Sequence, residues 1–150
     1  MQSWRLIGFE NRAIDDEDFR DDSVDAGELG AGHTVTALYE IKPVEGALGQ
    51  LGVTTLRWLD PNTREAREIE RPITPADLSS DFGATSPRFQ QDVIVAQYAE
   101  VLRESIWATQ TGSDLVQVAN WAGQLPALLP DDLDVAEFAG LARQAAAIGS

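Results

Sequence analysis

DAGELGAGHTVTALYEIKP, residues 25–43, decides how the chain is read: a glycine-punctuated loop runs straight into one strongly patterned β-strand. Over residues 33–41 the side chains alternate, with Val35, Ala37, Tyr39 and Ile41 on one face and Thr34, Thr36, Leu38 and Glu40 on the other. A period of two predicts a strand with one buried and one partly covered face. Pro43 ends it, because proline has no N–H to give a sheet ladder.

Working towards the N-terminus, residues 15–28 hold eight acids, from Asp15 to Glu28, against the single base Arg20. Phe19 and Val24 are the large apolar residues there, so a solvated loop pinned to the sheet at two points is expected. Before it, residues 4–10 alternate loosely, Leu6 opposing Ile7 and Phe9, which predicts an internal strand covered on both sides.

Towards the C-terminus, the glycine-rich VEGALGQLG (residues 44–52) leads to strand character over residues 53–59. Asp60-Pro61-Asn62-Thr63 favours a type I turn, so residues 54–59 and 65–69 read as a hairpin. On the returning arm Arg64, Glu65, Arg67, Glu68, Glu70 and Arg71 mix both signs, as expected of an exposed edge kept from aggregating by its charges rather than of a binding strip.

Arg71-Pro72-Ile73-Thr74-Pro75 marks a change from β to α character. Ser86-Pro87 is an N-cap followed by proline at the first helical position. The helix it opens presents Phe89, Val93, Ala96, Ile94, Tyr98, Val101 and Leu102, and is expected to end within residues 105–111. Ser113 is expected to cap a second helix with Leu115, Val118, Ala119 and Ala122 inward, closed by Gly123 and Pro126. Asp134 and Glu137 suggest a capping-box start for a third, with Phe138, Leu141, Ala142, Ala145 and Ile148 inward. The fold class is therefore α+β: a sandwich-like antiparallel sheet in residues 1–75, then a bundle of about three helices in residues 76–150, stacked on one another and on the sheet.

Three stretches together, WRLIGFENR (residues 4–12), DEDFRDDSVDAGELGAG (residues 16–32) and HTVTALYEIKP (residues 33–43), resemble the start of the C-terminal region of bacterial von Willebrand factor type A domain proteins of the cell envelope. The resemblance covers the first third of the chain in specific motifs and the helical tail in general pattern. It implies a piece excised from a longer chain, an upstream von Willebrand A domain as intramolecular partner, and a cell-envelope or periplasmic location. The metal-dependent adhesion site that such domains carry would lie in that upstream domain. If a strand that normally pairs with residues 4–12 is missing, the open edge favours a homodimer.

A chain of 150 residues can bury a sizeable core, roughly 70% of the surface it exposes when unfolded. Twenty-five acids against eleven bases give a net charge of −14, which repels phosphate backbones and anionic headgroups and disfavours nucleic acid and membrane partners. No cysteine is present, which removes disulfides, thiol catalysis and cysteine-bound zinc. No apolar run approaches the roughly 18 residues of a membrane span, so membrane insertion is not expected.

Four arrangements could carry chemistry. Asp21, Ser23 and Asp25 alternate like the first half of a calcium loop, but counting from Asp21 puts Ala26 where a glycine bend belongs and Gly32 where a bidentate glutamate belongs, with Glu28 as an unconventional substitute. His33, the sole histidine, would have to serve any triad, near Glu28, yet no nucleophile elbow or metalloprotease motif accompanies it. The carboxylate pairs Asp15 with Asp16 and Asp131 with Asp132 sit in exposed acidic runs, the latter suited to a helix start. Trp58, Trp107 and Trp121, with Phe89, Tyr98 and Phe138, read as core or subdomain interface, Trp107 being the most exposed and a candidate protein contact.

The reading is thus a non-catalytic accessory module for protein–protein interaction, with no cofactor, no metal and no catalytic residues expected. The alternatives are a calcium-stabilised binding module using Asp21, Asp25 and Glu28, and a hydrolase built on His33.

Overall fold

A computed structural model describes residues 2–8, 14–25 and 27–149. The chain divides into two compact units, Met1–Leu78 and Ser79–Ser150. The first holds β-strands and the second helices, which makes the protein α+β.

Among the described residues of the first unit four strands form two small antiparallel sheets, as the expected antiparallel β half requires. β1 (Ser3–Ile7) pairs with β2 (Leu38–Lys42), placing Trp4 opposite Ile41 and Leu6 opposite Tyr39 on one face. The Trp4 and Tyr39 rings lie 5.9 Å apart across that face. On the other face Arg5 stands opposite Glu40 and donates Nε–H to its carboxylate at 2.8 Å.

Two expectations change here. β1 was expected to be internal, but among the described residues it pairs only with β2, and Trp4 is 62% exposed. The part of that expectation resting on Phe9 and Glu10 lies outside the described residues, as does the end of the open edge at Arg12. The strand expected over residues 33–41 begins only at Leu38, and Val35, assigned to its buried face, is 79% exposed. Among the described residues the β1–β2 ladder runs from Ser3 opposite Lys42 to Ile7 opposite Leu38, and the alternating segment before Leu38 has no described strand as its partner.

β3 (Gly52–Leu59) and β4 (Ala66–Ile73) form the expected hairpin, in register from Gly52 opposite Ile73 to Leu59 opposite Ala66. Its turn is built by Asp60, whose carboxylate accepts from the Asn62 and Thr63 N–H groups at 2.9 and 3.1 Å. Arg64 then adopts φ 59°, a left-handed conformation that closes the loop, and its N–H donates to the Asp60 carbonyl. A 3-10 turn, Pro75–Asp77, follows β4.

The second unit has five α-helical segments among its described residues, where about three helices were expected. α1 (Pro87–Leu102) starts as anticipated, Ser86 Oγ accepting from the Phe89 N–H. It stops at Leu102 because Glu104 turns to φ 52° and Ser105 caps a separate short helix, α2 (Ile106–Thr111). Gly112, in left-handed conformation at φ 66°, ends α2. α3 (Leu115–Ala122) is capped by Asp114 rather than Ser113, since the Asp114 carboxylate accepts from the Gln117 N–H at 2.7 Å. After the single-turn α4 (Leu125–Leu128), α5 (Leu133–Ile148) is capped by Asp132 rather than Asp134.

The core of this unit is Ile94, Val118, Ala119, Ala122, Leu125, Val135, Ala139 and Ala142, with Tyr98, Val101 and Phe138 packed against it. α5 turns Val135, Ala139, Ala142 and Ala146 inward, a spacing of four, three and four residues that keeps one face of a 3.6-residue helix. Leu141 and Ile148, expected inward, are 50% and 86% exposed. Small residues on both α3 and α5 let the helix backbones approach closely, and that close approach outweighs the larger apolar area of Leu141 and Ile148. Tyr98 and Phe138 meet edge to face at 5.5 Å, closing the core beside α1.

Leu125 is 1% exposed, so Leu125→Ala should lower unfolding stability by about 2–5 kcal/mol in chemical denaturation followed by circular dichroism. Leu133→Ala, at a position 82% exposed, should change it by no more than about 0.5 kcal/mol.

Candidate functional site

The acidic stretch, the first candidate, forms short turns: the Asp18 N–H donates to the Asp15 carbonyl, Asp21 to Asp18, and Val24 to Asp21. Repeated three-residue turns bring the run back on itself and hold carboxylates close to the hairpin. Asp22 accepts from Arg57 Nη2, and Arg20 forms a two-pronged contact with Glu68, Nη2 to Oε1 at 2.7 Å and Nε to Oε2 at 3.1 Å. Arg57 and Glu68 stand directly opposite each other on β3 and β4, 3.8 Å apart at their nearest charged atoms. The result is an alternating chain of charges, Asp22, Arg57, Glu68, Arg20, which clasps the loop to one face of the hairpin.

Arg20 also lies 3.6 Å from Glu70. Its hydrogen bond to Glu68 holds the guanidinium above its ordinary value, and the same bond holds the Glu68 carboxyl below the usual carboxylate range. The planar guanidinium matches a carboxylate with two parallel bonds, a geometry a lysine cannot reproduce. Individual exposed pairs contribute little, so the clasp orders the loop more than it stabilises the unit.

Asp21 faces its own turn: its carboxylate accepts from the Ser23 hydroxyl at 2.7 Å and the Ser23 N–H at 2.9 Å, and these bonds lower its pKa. Ala26, the position that calcium-loop spacing assigns to a glycine bend, lies outside the described residues. Among the described residues no three His, Asp or Glu side chains converge as metal ligands. His33 closes a tight turn, its N–H donating to the Gly30 carbonyl at 3.1 Å. A Cβ at Gly30 would meet the His33 ring at 3.0 Å, which explains why a glycine suits that position.

The second acidic pair has a structural use. Asp132 accepts from the N–H groups of Asp134 and Val135 at 3.1 and 3.3 Å as the cap of α5, and its other oxygen takes a hydrogen bond from Arg88 Nη1. The Arg88 bond first, and the Val135 N–H second, pull its pKa down. Asp60 is lowered by the Thr63 and Asn62 N–H groups, and Asp77 chiefly by the Thr74 N–H.

The aromatic candidates are spread over several elements, Tyr98 and Phe138 forming a ring pair. Trp58 belongs to the hairpin, whereas Trp107 and Trp121 lie on α2 and α3. Phe89 packs instead near Phe82, ring centres 6.4 Å apart. Trp107 is 39% exposed, no more than Trp58 at 40%, and Trp4 on β1 exceeds both. Trp107 lies in the first turn of α2, after a cap at Ser105 that was not read from the sequence.

Sequence reasoning also missed Glu100. It is 2% exposed, accepts from Ser105 Oγ at 2.8 Å and lies 2.7 Å from the Arg103 guanidinium. Ser105 Oγ itself accepts from the Ala108 N–H, so one hydroxyl links the buried acid to the start of α2. The available signal was an acid five residues before a serine where the helical pattern weakens.

Comparison with known proteins places the chain beside one group. Residues 1–50 match a family model described as "Uncharacterized protein YfbK, C-terminal". The chain is also similar to the Escherichia coli (strain K12) protein named "Uncharacterized protein YfbK", 28% identical over 143 residues, an alignment covering 83% of this chain and 24% of that relative. The chain thus spans about a quarter of the length of the curated relative it matches. No solved structure matches it.

Two outcomes follow from this geometry. Glu68→Gln should speed tryptic cleavage after Arg20 while leaving the melting temperature nearly unchanged, and Glu70→Gln should do so less, since its contact with Arg20 is longer. The lowered carboxyls are more acidic folded than unfolded, so their stabilisation is complete above about pH 5 and is lost as pH falls through about 4 and below. Melting temperature should therefore fall on the acid side although protonation relieves the self-repulsion of a −14 chain. Asp132→Asn, which keeps an acceptor at the cap without titrating, should flatten that fall; a melting temperature rising steadily to pH 3 would show that self-repulsion outweighs these carboxyls.

Proposed function

We propose that this chain is a non-catalytic accessory module of a bacterial von Willebrand A domain protein of the cell envelope, acting through protein–protein contact. The observation that carries the reading is the joint similarity at both scales. The family match covers the β-strand motifs of residues 1–50, and the alignment to the E. coli protein, at 83% of this chain, extends beyond the β unit. In that relative the matched region is one part of a chain about four times as long. A counterpart that is a minor part of a longer chain is what an accessory module would be.

The surface fits such a role. The β1–β2 pair exposes Trp4 and Tyr39 together, at 62% and 55%, and aromatic side chains of this kind are enriched at protein interfaces. The acidic loop carries its carboxylates in a clasp and in its own turns, where they support the β unit. The upstream von Willebrand A domain is the first partner, and the acidic surface disfavours nucleic acid and anionic membrane.

Titration calorimetry of the 150-residue chain with a separately purified von Willebrand A domain of the same polypeptide tests this. The expected result is one-to-one binding with a dissociation constant on the order of 10–100 μM, as suits an interface between domains that are normally linked. Trp4→Ser should weaken it at least about fivefold. The absence of such a domain from the full reading frame, or of any heat at the highest soluble concentration, would refute the proposal.

A further inference from the structure

The two outer edges of the β3–β4 hairpin are chemically opposite. β4, AREIERPI, displays Arg67, Glu68, Glu70 and Arg71 and includes Pro72, which cannot donate to a ladder. β3, GVTTLRWL, carries one charge in eight residues, Arg57, and that guanidinium is engaged by Asp22 and Glu68. Among the described residues no strand pairs with the outer side of β3. A long edge rich in β-formers and poor in charge is a template for another strand.

Symmetry then selects the occupant. Two identical antiparallel strands related by a two-fold axis normal to their sheet must place one residue opposite its own copy. On β4 the palindrome Arg67-Glu68-Ile69-Glu70-Arg71 makes every central choice repulsive. With the axis at Ile69, Arg67 faces Arg71 of the copy and Glu68 faces Glu70; with it at Glu68 or Glu70, a carboxylate faces itself. On β3 an axis at Leu56 sets Leu56 against Leu56, Thr55 against Arg57, Thr54 against Trp58 and Val53 against Leu59, with no like charges opposed.

We propose that the outer edge of β3 is a pairing interface for a second copy of this chain, joined antiparallel about Leu56 into a four-stranded sheet with β4 on both outer sides. A hairpin alone is marginal in water, and four strands with a shared apolar face are not. That face is present: Leu56 and Ile69 are directly opposite in the hairpin, each 57% exposed, and Trp58 lies beside them at 40%. Pairing about Leu56 brings the two copies of this stripe together at the axis. The guarded β4 edges end the assembly at two chains. This edge is distinct from the β1 strand and acts whether or not a von Willebrand A domain precedes the chain.

Sedimentation velocity on the 150-residue chain, from ~1 to ~200 μM, should show a monomer–dimer equilibrium. Because each copy carries −14, the dimer should tighten between about 0.05 and about 0.5 M sodium chloride. Leu56→Lys sets two ammonium groups opposite each other and should weaken the dimer at least about tenfold, with the thermal melt of dilute monomer retained because the side chain is largely outside the core. Since the chain has no cysteine, Leu56→Cys offers a reading that does not depend on that variant folding: mild oxidation should give a covalent dimer. Thr54→Cys, on the same face, should not, since its two copies would lie about 13 Å apart along the strands. A monomer under all conditions, a dimer unchanged by Leu56→Lys, or equal cross-linking at positions 54 and 56 would overturn the proposal.

Discussion

Guanidinium groups are scarce in this chain, and where each one goes decides how its segments are tied. Twenty-five acids compete for eleven basic residues. Arg5 joins β1 to β2 through Glu40, Arg20 and Arg57 fasten the acidic loop to the hairpin, and Arg67 meets Asp60 at the hairpin turn. Arg71 reaches Asp77 in the 3-10 turn after β4, and Arg88 reaches the Asp132 cap of α5. Each contact is exposed and individually modest. Collectively they convert self-repulsion into a set of directed links, and apart from Asp22 the carboxylates chosen are those that already cap a turn or helix or stand across a strand pair.

The two units draw their order from different sources. The helical unit has an apolar core in which four alanines on α3 and α5 allow close helix packing, with Leu125, Val118 and Val135 fully buried. Among the described residues of the β unit Leu51 is the one buried apolar residue, at 6% exposure, and two short strand pairs rely on ladders and charge links. Apolar burial scales with the area removed from water, so the helical unit should be the more resistant to local opening. Among its described residues the β unit leaves Trp4, Tyr39, Leu56 and Ile69 exposed.

Within that unit the design is asymmetric. β4 carries the charges and proline that discourage further pairing, whereas β3 carries threonines and large apolar residues. Charge that prevents association on one edge thus leaves direction to the other. The similarity to the YfbK C-terminal family covers the β1–β2 motifs, and the hairpin follows immediately after the matched residues.

Local chemistry made much of this legible. Asp60-Pro61-Asn62-Thr63 specified the hairpin, and Ser86-Pro87 specified the first residue of α1, because turns and caps are decided by hydrogen bonds between near neighbours. The α+β class followed from the change in period after Pro75. Other features waited on distant partners. Among the described residues the alternating stretch 33–37 has no strand as its partner, and the inward face of α5 was set by what α3 could accept rather than by the size of Leu141 or Ile148. The same holds for the fate of the acidic run: composition placed eight acids in one loop, but only the fold could bring Arg57, thirty-five residues from Asp22 along the chain, to its side. Sequence alone determined the elements whose energy is local. Tertiary structure decided which faces are buried and which charges meet, since those energies belong to residues that the chain order keeps apart.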